Sequence, residues 1–443
     1  MSVTKAAKSE RARTPLTGSV RLPGDKSISH RALMLGALAS GETRIEGLLE
    51  GDDVLATAAA MRALGAQIDR LADDGIYRVR GVGTAGFRTP QNALDFGNAG
   101  TGARLVMGLV AGSQIDAQFI GDASLSARPM ARVMRVLQKM GAQINATDGD
   151  YLPLHIQAAP LIPADITPDV TSAQVKSAIL LAAVNTPGTT LVREKVLTRD
   201  HSENMLELFG AALERYEEDA HHIVALHGPA RLTGCDLSVP GDPSSAAFPM
   251  IAALLVPGSD VVLENIMLNR QRDGLIRVLR DMGADIDFMN RRHAAGEQVA
   301  DLRVRHSHLR GIEVPAAIAP DMIDEYPALA VAATAAHGVT HMAGLEELRV
   351  KESDRLAAIV DGLRANGANV ESGTDWLRVT GGPVPGGGTV ATHHDHRIAM
   401  SFLCLGLIAD TAIEIDDTAM IATSFPNFFD LMAQLNVEFD HGA

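Results

Sequence analysis

Cysteine is nearly absent: Cys235 and Cys404 are the two thiols in 443 residues. Two are too few for a disulfide framework or a metal-binding cysteine set. Each sits in an apolar neighbourhood, as a buried structural thiol does. Aromatic residues make up 4% of the chain, with a single Trp, while Gly and Ala are plentiful; small residues favour helices packed closely on sheets. Long apolar runs are also missing. The longest, around Ala246–Val256 and Ala399–Ala409, fall well short of the roughly 18 residues a membrane span needs. The first fourteen residues are polar and basic and lack the apolar core of a secretion signal, so a loose leader and a cytoplasmic location are expected. Cations are in deficit, with 39 Lys and Arg against 54 Asp and Glu and a formal net charge of −15. That balance argues against nucleic acid as a partner. It also means that any anion site must be made locally, against the overall field.

Such a site is written at Pro23–Arg31, PGDKSISHR. A Pro-Gly turn ends an extended segment, and a Ser-rich helix start follows. The first turn of a helix offers unpaired N–H groups and the positive end of a dipole, which together suit an anion. Lys26 adds a point charge there, and Ser27 a hydroxyl able to cap the helix or hold a ligand oxygen. Arg31, four residues after Ser27, lies on the same face and can reach back to the same anion.

A repeat organises the rest. A helix ending in a Gly-Ala step before an apolar strand recurs as LGAQI at 64–68, MGAQI at 140–144, FGAAL at 209–213, MGADI at 282–286 and NGANV at 366–370, with a degenerate LNVEF at 435–439. Six strand–helix modules follow, each near half a domain in size. PGDKS at 23–27 has a near-copy, PGDPS, at 240–244, and both follow an apolar strand, as crossings between two halves do. The expected fold is α/β: one domain of three repeats over 24–240, and a second over 241–443 completed by a strand at 15–23. A cleft between domains is the natural place for a ligand.

The helix-start device returns with variations. Ser172 precedes Lys176 in SAQVK, Lys351 precedes Arg355 in KESDR, and His393 precedes Arg397 in HHDHR; Gly100, Thr101 and Arg104 stand similarly in NAGTGAR. Arg128 precedes a Pro at a helix entry, Asp324 begins another helix, and Glu352 adjoins Lys351. Carboxylates facing converging cations are candidates for acid–base work. HHDHR invites a metal, but no matching Cys/His set stands elsewhere, so none is expected. GGPVPGGG at 381–388 has no lysine or following helix and reads as a loop rather than a phosphate cradle.

Taken in order, GDKSISHR, FGNAGTGAR, SLSARPM, SAQVK, RDHSE, VKESDR and DHRIAM resemble the 5-enolpyruvylshikimate-3-phosphate synthase family over essentially the whole chain. SAQVK and RDHSE are similar to its second bacterial class. The resemblance implies two inverse α/β domains, each of three repeated units. It implies transfer of the enolpyruvyl group of phosphoenolpyruvate to shikimate 3-phosphate with release of phosphate, a step of the shikimate pathway to aromatic amino acids. It implies shikimate 3-phosphate contacts at Lys26, Ser27, Arg31, Ser172, Ala173, Gln174, Arg199, Asp324 and Lys351. Phosphoenolpyruvate contacts are implied at Lys26, Asn98, Gly100, Thr101, Arg128, Gln174, Arg355, His396 and Arg397. Asp324 is then the better candidate for the hydroxyl proton, and Glu352 or Lys26 for the carbon. Neither metal nor cofactor is expected, and the partners are the two small substrates, without nucleic acid or membrane; a monomer is expected. Sensitivity to glyphosate follows from its likeness to phosphoenolpyruvate.

Two positions depart from the family pattern: Gln271 stands before Arg272 where the class carries Thr, and Thr423 stands where some relatives carry a pocket Lys. The sister enolpyruvyl transferase acting on a nucleotide sugar carries a loop Cys beside cations, a setting neither Cys235 nor Cys404 has. A binding scaffold without chemistry should not need cations and carboxylates at several helix starts.

Overall fold

The computed structural model describes residues 5–71 and 75–441. Its contacts cluster into two units, one of residues 24–240 with 293–297, the other of 1–23, 241–292 and 298–443. Among the described residues each contains three small sheets, six in all, five of four strands and one of three.

The sheets share one plan. A strand pairs in parallel with the strand that follows a buried helix, and that second strand pairs antiparallel with a third. Leu94–Asp95 joins Ala117–Ile120 across the Gly100–Gly112 helix; Asp165–Ile166 joins Gly188–Glu194 across Ala173–Ala183. Glu313–Val314 joins Val339–Ala343 across Tyr326–Thr334, and Thr389–Val390 joins Ile413–Ile415 across His396–Gly406. A parallel pair needs such a crossover. The two remaining modules exchange first strands. Thr17–Arg21, which leads into the Lys26–Leu38 helix, pairs with Asp260–Met267; Asp236–Ser238, which leads into Pro243–Leu255, pairs with Glu42–Glu46.

The repeated glycine has a local cause. Gly65, Gly141, Gly210, Gly283 and Gly367 all end a helix with φ between +76° and +115°, the left-handed conformation that closes a helix and suits Gly best. In the degenerate sixth copy Asn436 takes that place at φ 66°, the residue type that tolerates it next. Elsewhere small residues let helices touch. A methyl on Gly108 or Gly112 would run into the carbonyls of Ala178 and Ala182 on the neighbouring helix. The central helices are therefore buried nearly all round, which leaves their first turns as the places where polar groups gather.

The leader differs from expectation. Residues 1–4 lie outside the described residues, but Ala7–Ser9 forms a strand antiparallel to Ile413–Ile415. Ala7 and Ser9 face inward, and Ser9 Oγ donates to Leu403 O at 2.7 Å. A three-residue strand carries too little periodicity to be read ahead of its partner. No helix among the described residues is long and apolar enough to cross a membrane.

Candidate active site

In the unit containing residues 24–240, the cap of the Lys26–Leu38 helix is Asp25, which accepts from Ile28 N at 2.8 Å. Ser27 is thereby relieved of the capping duty its type allows. Lys26 is ion-paired with Asp53, at the start of the Asp52–Ala63 helix. Arg31 is 4% exposed. Its guanidinium donates to Ser27 O at 2.9 Å, as the reach back along the helix requires, and to Ser202 Oγ at 2.8 Å and Ser177 Oγ at 2.7 Å. No carboxylate is among these acceptors, and burial pulls its pKa down to about 10.

A second buried guanidinium stands in the Gly100–Gly112 helix. Arg104 donates weakly to Gln174 Oε1 at 3.5 Å and Pro129 O at 3.3 Å, and its Nε has no partner among the described residues. Burial, followed by repulsion from Arg132 and Arg128, lowers it to about 9. Arg128 donates to Asn98 Oδ1 at 2.9 Å and Ser124 Oγ at 3.0 Å; Asn98 donates in turn to Asp122 at 2.9 Å. Gly100 opens its helix beside both arginines, since a methyl there would lie 3.0 Å from Arg104 Nη1 and 3.6 Å from Arg128 Nη1. Gln174 Nε2 donates to Thr101 Oγ1 at 3.0 Å, linking two helix starts. Ser172 is the extended residue before Ala173, and its side chain makes no capping bond. Arg199 lies half-buried between the Gly188–Glu194 strand and the His201–Leu208 helix.

The other unit gathers the remaining predicted residues around Arg355, 1% exposed. Its Nη1 donates to Asp324 Oδ1 at 3.1 Å, its Nη2 to Glu352 Oε2 at 2.5 Å and its Nε to Asp395 Oδ2 at 2.7 Å. Lys351 Nζ lies 3.5 Å from Asp324, and Arg397 Nη1 donates to Asp324 O at 3.3 Å and lies 3.8 Å from Glu325. Burial pushes the Glu352 carboxyl up, but Arg355, then His396, outweigh it and hold it well below the usual carboxylate range. Burial and then Arg397 lower His396 to about 4, so its ring is neutral at neutral pH; its Nε2 has no partner among the described residues.

Within each unit the predicted residues fall on linked helix starts. Lys26, Ser27 and Arg31 share one helix; Asn98 is bonded to Arg128, and Thr101 to Gln174. Asp324, Lys351, Glu352, Arg355 and Arg397 form one ion-paired cluster, with His396 next to Asp395 and Arg397. Asp53, Arg104, Glu325 and Asp395 are additional members. Arg104 is the cation already singled out in NAGTGAR, Asp395 lies inside HHDHR, and Asp53 is an acid in the first turn of the Asp52–Ala63 helix; nothing in sequence pairs them with their partners. His393 and His394 are exposed, with φ of 51° and 58°, while His396 is buried, so the HHDHR histidines do not converge on a metal. Among the described residues, Asp200, His201 and Glu297 alone bring three metal-capable groups together, and His201 Nδ1 is bonded to Glu297 Oε1 at 2.7 Å. Thr423 Oγ1 donates to Met420 O at 2.7 Å within its own turn. Gln271 N donates to Asn269 Oδ1, and Arg272 is buried against Asp242 and Ser244.

The family model for EPSP synthase (3-phosphoshikimate 1-carboxyvinyltransferase) matches residues 11–432. A 3-phosphoshikimate 1-carboxyvinyltransferase of Chelativorans sp. is 58% identical over 432 residues, 96% of each chain; that of Parvibaculum lavamentivorans is 58% identical over 430. A solved EPSP synthase from Acinetobacter baumannii aligns with a TM-score of 0.90 and 41% identity, covering 99% of both chains. The enolpyruvyl transferase NikO from Streptomyces tendae, at 21% identity and a TM-score of 0.76, shares the fold.

Proposed function

The chain belongs to the EPSP synthase family, and from that premise we propose that it transfers the enolpyruvyl group of phosphoenolpyruvate to the 5-hydroxyl of shikimate 3-phosphate, releasing phosphate. The observation that supports this reading best is the pair of buried arginines, Arg31 and Arg104, neither bonded to a carboxylate. A buried cation without a counter-ion is costly. An incoming phosphate or carboxylate supplies the missing charge.

Two polyanionic substrates repel, so cations must offset that repulsion before any chemistry. Lys26, Ser27, Arg31, Ser172, Ala173, Gln174 and Arg199 hold shikimate 3-phosphate in this reading. Asn98, Gly100, Thr101, Arg128 and Gln174 are assigned to phosphoenolpyruvate, and so, from the family pattern, are Arg355, His396 and Arg397. The reaction adds the hydroxyl oxygen to the enol carbon, places a proton on the methylene, and then expels phosphate from the tetrahedral adduct as a proton leaves the methyl. Asp324, flanked by Lys351, takes the hydroxyl proton. Glu352 exchanges the proton on carbon, with Lys26 as the other group able to do so. An anion drawn to Arg355 weakens the field that keeps Glu352 ionised, so substrate binding raises its pKa toward a working value.

The thiols do not support the nucleotide-sugar alternative. Cys404 is buried against Phe248 O, with its thiol pushed far up by burial, and Cys235 is raised by burial and then by Asp236. Phosphate release decides between the readings: it should require phosphoenolpyruvate and shikimate 3-phosphate together. Release with a uridine nucleotide sugar in place of shikimate 3-phosphate, or none with the proposed pair, overturns the assignment.

A further inference from the structure

Lys176 lies one turn into the Ala173–Ala183 helix and is 1% exposed. Its ammonium has three N–H groups, and three acceptors surround it: Glu203 Oε1 at 2.7 Å, Glu194 Oε2 at 2.8 Å and Thr198 O at 3.2 Å. Each comes from a different piece of chain. Glu194 ends a strand, Glu203 lies in the first turn of the next helix, and Thr198 belongs to the segment between them. Thr198 Oγ1 closes the set by donating to Glu194 Oε1 at 2.5 Å. Arg199 is the next residue. The crest of the same segment is not held by packing, since Val196 and Leu197 are 52% and 44% exposed.

A buried ion cluster is a poor source of stability, because apolar side chains of similar volume often hold as well. Its distinctive contribution is geometric. Three acceptors on one nitrogen admit one arrangement of the segment against the helix that begins at Ser172 and Ala173. The cluster sets two carboxylates against one ammonium, and burial pushes the Glu203 carboxyl up. Glu203 adjoins Ser202, which accepts from Arg31 Nε, so this carboxyl partly offsets a guanidinium that lacks a carboxylate of its own.

We propose that Lys176 is a positioning residue for recognition of the shikimate 3-phosphate phosphoryl group: it holds Arg199 in register with Ser172, Ala173 and Gln174. The identity of the ligand rests on the function proposed above. The double variant Lys176→Met/Glu203→Gln removes the ammonium and one carboxylate together, which keeps the formal charge of the cluster unchanged and leaves Glu194 bonded to the Thr198 hydroxyl. Its KM for shikimate 3-phosphate should rise about tenfold while its KM for phosphoenolpyruvate stays within about twofold and kcat within about threefold. In that background Arg199→Ala should cost much less than in the wild type, as groups acting as a unit are not additive. Thr198→Val, which removes only the hydroxyl tie, should raise the same KM by about threefold and keeps the test open if the double variant fails to fold. Equal changes in both KM values, an unchanged KM for shikimate 3-phosphate in folded variants, or the same Arg199→Ala cost in both backgrounds overturns the proposal. A wild-type protein inert toward both substrates overturns the functional reading instead, and circular dichroism of the variants separates the two failures.

Discussion

Arg31 and Arg355 occupy comparable places, each buried near the first turn of a helix, yet their surroundings are opposites. Arg31 bonds to two hydroxyls and a carbonyl, whereas Arg355 bonds to three carboxylates. The first has Asp25, Glu203 and Glu297 in its surroundings but bonds to none of them. The second is in direct contact with carboxylates, two of which, Asp324 and Glu352, are the groups proposed above to handle protons. On the proposed reading a repeated module serves as an anion receptor in one unit and as a proton-handling cluster in the other, according to which side chains its first turns carry.

The comparison breaks most severely at Lys26. Lys26→Ala removes the half-buried cation paired with Asp53, and turnover should fall by at least about 10³-fold, read as phosphate release, with little change in melting temperature. Near-normal release would show that the receptor does not need it.

Stability distinguishes the arginines themselves. Arg355→Leu strands the buried Asp395 and takes the partner from the more exposed Asp324 and Glu352, and should cost about 3–5 kcal/mol at pH 7. Arg31→Leu leaves only hydroxyls and a carbonyl to be satisfied and should cost about 1–3 kcal/mol. The pH dependence has a definite sign. Glu352 and Asp395 are held below their unfolded values, so their stabilisation is present above the ordinary carboxylate range and is lost as the pH falls. His396, depressed to about 4, favours the unfolded state on acidification from about pH 6.5. The wild type therefore loses stability in acid. In Arg355→Leu the stranded carboxylates protonate and are relieved, so the gap between the two proteins should narrow from pH 7 to pH 4.5 in urea titrations. A constant gap would mean that the cluster is not ionised as described.

Asp324→Asn and Glu352→Gln test the other half. Each keeps shape and loses basicity, and each should lower kcat by roughly 100-fold while affinity for both substrates changes far less. Loss of affinity with turnover retained would make them binding groups.

The smallest effect is expected at Gly100. A methyl there meets Arg104 Nη1 at 3.0 Å and Leu125 Cδ1 at 3.4 Å, so the guanidinium must yield by a few tenths of an ångström. Glyphosate, longer than phosphoenolpyruvate, should suffer first. Gly100→Ala should raise the ratio of its inhibition constant to the KM for phosphoenolpyruvate by about tenfold. An unchanged ratio with a lowered melting temperature would leave Gly100 as a packing residue only.

The receptor was the more legible half. A Ser or Gly at a helix start with a cation four residues on is a local pattern, and Lys26, Ser27, Arg31, Gly100 and Ser172 all follow from it. The repeat was legible because a left-handed helix end selects Gly or Asn whatever surrounds it. Asp53, Glu203 and Asp395 were not, since an ion pair between distant segments leaves no periodic trace. Lys176 was read as another helix-start cation, but burial beneath the surface turns its charge toward Glu194 and Glu203. The leader strand Ala7–Ser9 failed for a different reason: its pattern exists only opposite Ile413–Ile415.

The exchange of first strands between modules also has a consequence in time. Val20 pairs with Leu263, and Leu16 N bonds to Ser259 Oγ across 243 residues. At about 5–20 residues per second, a ribosome delivers that partner on the order of 10–50 s after the N-terminal strand has emerged. Over that interval the Thr17–Arg21 strand lacks its partner, and Ala7–Ser9 waits longer still, until Ile413–Ile415 is made. The nascent chain is thus most vulnerable to wrong pairing at its oldest end, which is where a chaperone would have to stand guard.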